Sequence, residues 1–378
     1  MQAKDGMKFM FFLYFCSRIR LQAMKKILMT VAVTMLTAMT ANAQRIKVTD
    51  SEGQAVPFVT ILNDEGAMIG TTDIEGMSED LQGAGMVVLT HVAFKPRNVI
   101  IKSDGQQVTL EDADYTMPEI TVEPKPYTYL QIYYRIVMIR KDGVQYYRVG
   151  LVDNFYNEEK GKQESSKRYF SKSIPGLKMA GDIVAGFIVD NKAKIHAKPW
   201  EQRLLDRYKD QGMQIVSVGN GKKQISDNYG TLGSITDKEG QRRISFDSYL
   251  AALHEMEAEN KTKKVEKIKK FDAKAQNAVR NSYLAYSIDD SGNYRPEDFL
   301  MEQHLYSADY EKYGHCLFVM DFFATDRSYV SKEGMKQIKQ AGKAKMSYEW
   351  AQQFEHEHNI PALAPEIAAK VKGLAEGN

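Results

Sequence analysis

From Gln44 the chain reads QRIKVTDSEGQAVPFVTILNDEGAMIGTTDIEG to Gly76, a succession of short apolar runs broken by acidic clusters that end in glycine. The clusters are Asp50-Ser51-Glu52-Gly53, Asn63-Asp64-Glu65-Gly66 and Asp73-Ile74-Glu75-Gly76. Each supplies an Asp or Asn able to bond its own backbone and a glycine that tolerates positive φ, so each turns the chain for a chemical reason. The runs Arg45–Val48, Val56–Leu62, Ala67–Thr72, Met86–Phe94, Val99–Ile101, Gln107–Leu110 and Glu119–Val122 have the length and composition of strands. This spacing predicts an all-β Greek-key sandwich over residues 44–123.

At these residues the segment resembles the carboxypeptidase-regulatory-like, transthyretin-type domain carried at the N-termini of many exported proteins and outer-membrane receptors of Bacteroidota-type bacteria. Arg45-Ile46-Lys47-Val48 with Asp50…Gly53 is similar to that family's opening strand and turn. Val56-Pro57-Phe58-Val59 is similar to its leucine-proline-glycine-valine strand, with Phe58 replacing the usual small residue. Gly70-Thr71-Thr72-Asp73 with Gly76, Val92-Ala93-Phe94-Lys95 and Met117-Pro118-Glu119-Ile120-Thr121-Val122 resemble its central element, a later strand and its closing strand. Residues 77–85 lack the family's glycine-aromatic-serine strand. The resemblance covers roughly a fifth of the chain and implies a non-catalytic accessory module, with no site residues of its own.

Upstream, Met24-Lys25-Lys26, the apolar run Ile27–Met39 and Ala41-Asn42-Ala43 have the charge, length and small-residue pattern of a secretory leader. They predict export, with a mature chain starting at Gln44 and ending in the periplasm or at the outer membrane and cell surface. Residues 1–23 read either as an extension from a misassigned start or as the front of a compound leader; the completeness of the signal from Met24 favours the first. Residues 1–43 hold six basic side chains against Asp5 alone, which leaves 45 basic and 48 acidic residues after them. That balance argues against a nucleic-acid partner and gives no case for an anionic-lipid surface. Past residue 43 no apolar run approaches the roughly 18 residues of a spanning helix. Cys316 is the only cysteine there, so no intrachain disulfide is expected.

Glu123-Pro124-Lys125-Pro126 reads as a stiff linker (124–126) that separates a self-sufficient strand set from residues 127–378. The second part reads as α+β with an antiparallel sheet and C-terminal helices, so the whole is multidomain. Leu130, Tyr133, Tyr134, Val137 and Met138 recur at helical spacing. Tyr146–Phe155, Arg168–Ser171, Ile183–Val189 and Lys194–Ala197 have strand composition, and Asn220-Gly221 and Asp237–Gly240 mark hairpins. Residues Phe246 to about Arg280 read as helix, their run Lys261–Lys270 as a solvated face. Ser282–Ile288 and Cys316–Phe323 read as strands, and Lys332–Gln340, Tyr348–Glu357 and Pro365–Leu374 as helices.

No complete catalytic or metal motif emerges. A zincin needs a second His one turn after His254, and that position is Ala258; the looser set of His254, Glu257 and His356 or His358 lacks its parallel α/β context. His315 and Cys316 are adjacent on a strand and point to opposite faces, so Cys316 reads as a core thiol. Ser287–Gly292 with Asp298 is a poor calcium loop and a good turn. His358 is placed to meet the terminal carbonyls of its helix. Tyr127, Tyr129, Tyr133, Tyr134, Tyr146, Tyr147 and Tyr156 fit either a glycan-stacking surface or half-buried strands, the second favoured. The sequence therefore predicts a non-enzymatic envelope protein without cofactor, binding a protein or glycan of the envelope. Two alternatives stand beside it: a hydrolase whose site assembles from distant residues, and a carrier whose sheet encloses an apolar ligand.

Overall fold

The structure, a computed structural model, describes residues 44–377 apart from 82, 114, 116–125, 141, 158, 220, 260–274, 312–313 and 342–344. The leader, the expected closing strand Glu119–Val122, Pro124 and the run Lys261–Lys270 lie outside the described residues.

The first unit holds strands β1 (Ile46–Thr49), β2 (Thr60–Leu62), β3 (Met68–Thr71), β4 (Met86–His91), β5 (Phe94–Ile100) and β6 (Gln106–Thr109). Four form an antiparallel sheet in the order β3-β2-β4-β5, while β1 pairs in parallel with β6. The three acidic clusters make the same turn. In each, the first side chain accepts from the backbone N–H groups two and four residues on: Asp50 from Glu52 and Gln54, Asn63 from Glu65 and Ala67, Asp73 from Glu75 and Met77. Gly76, at φ 76°, is required twice over, because a Cβ there would lie 2.4 Å from the Val48 carbonyl oxygen.

The rest is dominated by one ten-stranded antiparallel sheet, so the part expected to be α+β is mostly β. Its strands are β7 (Tyr127–Arg140), β8 (Gly143–Asn157), β9 (Lys162–Ser173), β10 (Gln214–Gly219), β11 (Lys222–Ser226), β12 (Thr231–Lys238), β13 (Gln241–Asp247), β14 (Ala275–Ser287), β15 (Phe299–Tyr310) and β16 (Gly314–Val330). The order β10-β11-β12-β13-β14-β15-β16-β7-β8-β9 joins two meanders through the β16–β7 pair. The described helices are α1 (Lys178–Lys192), α2 (Trp200–Arg207), α3 (Ser248–Glu259), α4 (Lys332–Ala341), α5 (Tyr348–Glu357) and α6 (Pro365–Glu376). None of them is long and apolar enough to cross a membrane.

Four expectations are overturned. The segment with Leu130, Tyr133, Tyr134, Val137 and Met138 is strand β7. It is apolar on both faces, so period-two alternation is invisible and helical spacing is satisfied by accident. Ile183–Val189 lies inside helix α1, whose β-branched run is overridden by packing through Gly181, Ala185 and Val189, one residue per turn. Lys194–Ala197 joins no strand, although Ile195 is buried. The long helix from Phe246 shrinks to α3, and β14 begins before Arg280.

The sheet is covered on both faces. On one, Tyr133, Val137, Ile139 and Phe323 pack with the β1–β6 unit, α5 and α6 in a single core cluster. On the other, Ile132, Tyr134, Ile136 and Phe322 pack with α1, α2 and α3. The first unit is therefore joined to the sheet by continuous apolar contact. Ion pairs add to the seam: Lys238 reaches Asp50 at 3.4 Å and Asp112 at 3.5 Å, and Arg243 reaches Asp112 at 3.0 Å.

Candidate functional site

A cleft of about 580 Å³ opens where the first unit meets the sheet. One wall is residues 65–71, all of β3 with the turn before it. Consecutive lining residues mark the edge of a strand, since a face would present alternate ones. β3 is the outer strand of its sheet, bonded to β2 on its other side. The opposite wall comes from the ends of β7, β14, β15 and β16, and Lys370 of α6 bonds to the Glu65 carbonyl across one end.

Three polar side chains on this wall stand in a row. Asp309 and His315 face each other across the β15–β16 hairpin, and Ser307 lies two residues from Asp309 on the same face. His315 Nδ1 is 2.8 Å from Asp309 Oδ1, and His315 Nε2 is 3.4 Å from Ser307 Oγ. Ser307 is buried, while His315 is half-exposed at the mouth. Beside them β14 carries a bulge: its register jumps between Gln276 and Val279, and Val279 is paired with Ser307. Bulges release backbone groups from the ladder and re-aim side chains, a common accompaniment of binding sites. The row is a serine–imidazole–carboxylate relay in outline, with a longer serine contact than the carboxylate contact.

His315 and Cys316, neighbours expected on opposite faces of a strand, are separated in this way on β16. His315 faces the cleft and Cys316 is buried, its thiol pushed up by burial. The signal that finds Ser307 and Asp309 is the hairpin itself. With Tyr310 paired to Gly314, its register sets Asp309 opposite His315, but the composition of that loop marks no turn type.

A second serine–histidine–carboxylate set is sealed under α1. His304 Nδ1 lies 2.8 Å from Ser282 Oγ, its Nε2 bonds Glu302, and Lys192 Nζ of α1 is 3.2 Å from Glu302 Oε1. Burial pushes Glu302 up, but Lys192 and His304 outweigh it and hold the carboxyl well below its usual range. Burial and Lys192 lower His304. The neutral ring then donates from Nε2 to Glu302 and accepts from Ser282 at Nδ1. All three residues are buried, so this set serves the core.

The remaining candidates disperse. His254 Nδ1 is 2.7 Å from Asp227 Oδ2 and ties α3 to the β11–β12 connection. His356 and His358 belong to α5 and its cap, and the sheet lies between α3 and α5, so His254 shares no site with either. His358 Nδ1 donates to the Phe354 carbonyl at 3.0 Å, at the helix end as expected. Asp289 Oδ1 accepts from Ser291 and Asn293 in a plain turn. Tyr129, Tyr133, Tyr134, Tyr146 and Tyr147 are buried in the sheet, which removes them as a stacking surface. Among the described residues no group of three or more His, Cys, Asp and Glu is placed to hold a metal ion. The sheet face away from the first unit is packed by Ala185, Val189, Leu204 and Ala251 of α1–α3.

No family model matches the chain. No curated protein matches it either. Among solved structures, an acyl-CoA thioesterase II, TesB2 of Mycobacterium marinum, is similar at 10% identity over 54% of this chain and 82% of that one, with a TM-score of 0.09.

Proposed function

We propose that this is an exported cell-envelope protein that holds an extended segment of a partner protein in the cleft. In this reading the first unit is a carboxypeptidase-regulatory-like Greek-key module that contributes recognition rather than chemistry. The leader pattern from Met24 to Ala43 and the succession of strands and Asx turns from Ile46 support the address and the module. The observation that carries the binding reading is the edge of β3 along one wall of the cleft. A strand edge offers main-chain donors and acceptors to an incoming extended chain, and the opposite wall then reads alternate side chains. Arg140, Glu79 and Lys370 give that wall and its rim both signs of charge. Peptides selected from a random library on the full mature chain are expected to slow amide exchange within Met68–Thr71. Binding should fall about tenfold in Ile69→Pro, which removes one edge donor. Protection confined to other segments overturns the reading.

One observation favours a hydrolase instead, the row Ser307–His315–Asp309 on the cleft wall. Ser307 Oγ would attack an ester carbonyl as its proton passes to His315 Nε2, with Asp309 holding the Nδ1 proton; His315 would return the proton to the departing alcohol, and water would release the acyl group. A fluorophosphonate probe separates the two. Labelling of Ser307 that is lost in His315→Ala supports the hydrolase. An unlabelled Ser307, with peptide binding unchanged in Ser307→Ala, supports recognition.

A further inference from the structure

Beneath the first unit the sheet carries a polar floor. Ser234 of β12 pairs with Ser245 of β13, which pairs with Tyr283 of β14, and Arg243 lies two residues from Ser245 on the same face. The Asp50 turn, Val56, Pro57, and His91 with Phe94 where β4 meets β5 lie over this floor, and a cavity of about 50 Å³ is lined by both. A space of that size holds more than one water-sized group. Three of its lining side chains each keep a buried polar atom with no hydrogen-bond partner among the described residues: His91 Nε2, Arg243 Nε and Tyr283 Oη. His91 and Tyr283 are only 4 and 6% exposed, and their rings stand nearly perpendicular with centres 4.6 Å apart. Burial lowers His91 and raises Tyr283, and the Arg243 charge adds to the first shift and opposes the second, as befits a cation beside both. Buried polar atoms are almost always paired, and each one left alone costs about as much as a lost hydrogen bond, so three in neighbouring residues around one cavity mark a site.

All three atoms can donate. His91 Nδ1 accepts from the Ala93 N–H at 3.2 Å, so the neutral ring carries its proton on Nε2. A guanidinium Nε–H only donates, and the Tyr283 hydroxyl, kept protonated by burial, donates to any acceptor offered. The fixed charges nearby are already engaged. Arg243 Nη1 is 3.0 Å from Asp112 Oδ1, which leaves Nε for another partner. Asp50 accepts at Oδ1 from the Glu52 and Gln54 N–H groups and has Oδ2 3.4 Å from Lys238 Nζ. The lining residues hold Lys238 and Arg243 against Asp50, an excess of one positive charge. The group that completes this arrangement is a small acceptor with a negative charge.

We propose that the cavity binds a small monovalent anion, a halide or a carboxylate of formate size, held by His91 Nε2–H, Arg243 Nε–H and Tyr283 O–H. Its donors come from β4 of the first unit and from β13 and β14 of the sheet, so the anion fastens one to the other and its binding is linked to the stability of the seam. The site shares no lining residue with the cleft along β3 and does not depend on what that cleft holds.

The test is the chloride-35 resonance of the full mature chain near neutral pH, titrated at constant ionic strength with gluconate, too large for the cavity, as the balancing anion. A saturable excess linewidth is expected, and the melting temperature should rise by about 2 °C at chloride tenfold above its Kd. Tyr283→Phe, which keeps the ring and removes its donor, should weaken binding about tenfold, with circular dichroism confirming its fold. Bromide diffused into crystals of the native chain should give an anomalous peak between His91, Arg243 and Tyr283, a readout that depends on no variant. Displacement of chloride by formate identifies a site open to carboxylates, and its failure a halide site; both support the proposal. Linewidth that grows without saturation, equal affinity in Tyr283→Phe, or bromide confined to surface lysines overturns it and leaves water as the acceptor.

Discussion

The two faces of the ten-stranded sheet carry covers of different kinds. On one face a strand unit and two C-terminal helices meet the sheet through a continuous apolar core, pinned by buried charge. There Arg135 Nε bonds Asp321 Oδ2 at 2.6 Å, Glu355 of α5 lies 3.4 Å from Arg135, and Tyr133 donates to Glu355 at 2.6 Å. On the other face three helices are laid on through Ala185, Val189, Leu204 and Ala251, and α1 also turns Met179, Ile183, Val184 and Phe187 outward. A cover of strands ends in an edge, and its seam with the sheet leaves a cleft lined by backbone. A cover of helices has no backbone edge to offer, so its only adhesive surface is side chain.

The largest test of this contrast removes a cover altogether. A fragment of residues 44–124 is expected to lose cooperative unfolding by circular dichroism, because Val87, Leu89 and Phe94 share their core with the sheet. A sharp melt near that of the full chain would show that the seam only fastens two finished units. Next in size is the buried charge on the strand-covered face. Arg135→Met alone should cost about 3–5 kcal/mol in urea unfolding by leaving Asp321 buried without its partner, and Arg135→Met with Asp321→Leu should recover most of that loss.

Acid should strip both covers, since each includes a histidine held neutral. Burial, helped by Arg243, lowers His91 to about 3, and burial, helped by Arg203, lowers His196 to about 3. Each folded value is depressed below the unfolded one, so the unfolded chain binds the proton first. Stability should therefore fall as pH drops from about 6.5 toward 3 and hold steady above that window. His91→Phe should flatten the profile of urea midpoint against pH, whereas an unchanged slope would place the acid sensitivity elsewhere. The smallest expected effect is on the helix-covered face: Ile183→Asp with Phe187→Asp should change stability by no more than about 0.5 kcal/mol per site, because neither side chain is in the core.

Strands β1 to β3 were legible because each is short and closed by an Asx turn whose chemistry is local, whereas the expected run Met86–Phe94 is split, with Phe94 opening β5 and Val99 and Ile100 ending it. The β12–β13 hairpin was legible for the same reason, with Glu239 and Gly240 at φ 51° and 73°. So were the last two helices: Ser347 accepts from Trp350 N–H, and Pro365 opens α6 while Gly377 closes it at φ 81°. Strand β7 was not, because burial on both faces erases the alternation that identifies a strand. Helix α1 was not, because its conformation is fixed by what lies beneath Gly181. The row Ser307–His315–Asp309 depends on a hairpin register, and a shift of one residue would have turned His315 away from the cleft.

The pairing of β16 with β7 sets Val330 against Tyr127 and Cys316 against Arg140, which makes the middle of the sheet its most distant contact along the chain. The first three strands of the sheet leave the ribosome long before the strand that completes them. Until β16 arrives, β7 has one unpaired edge and two apolar faces, a template for any passing strand. Closing so large a loop before any contact rewards it slows folding. A chain wired in this way depends on being kept apart from its neighbours while it is made, and its yield should respond to the supply of holding chaperones more steeply than its final stability would suggest.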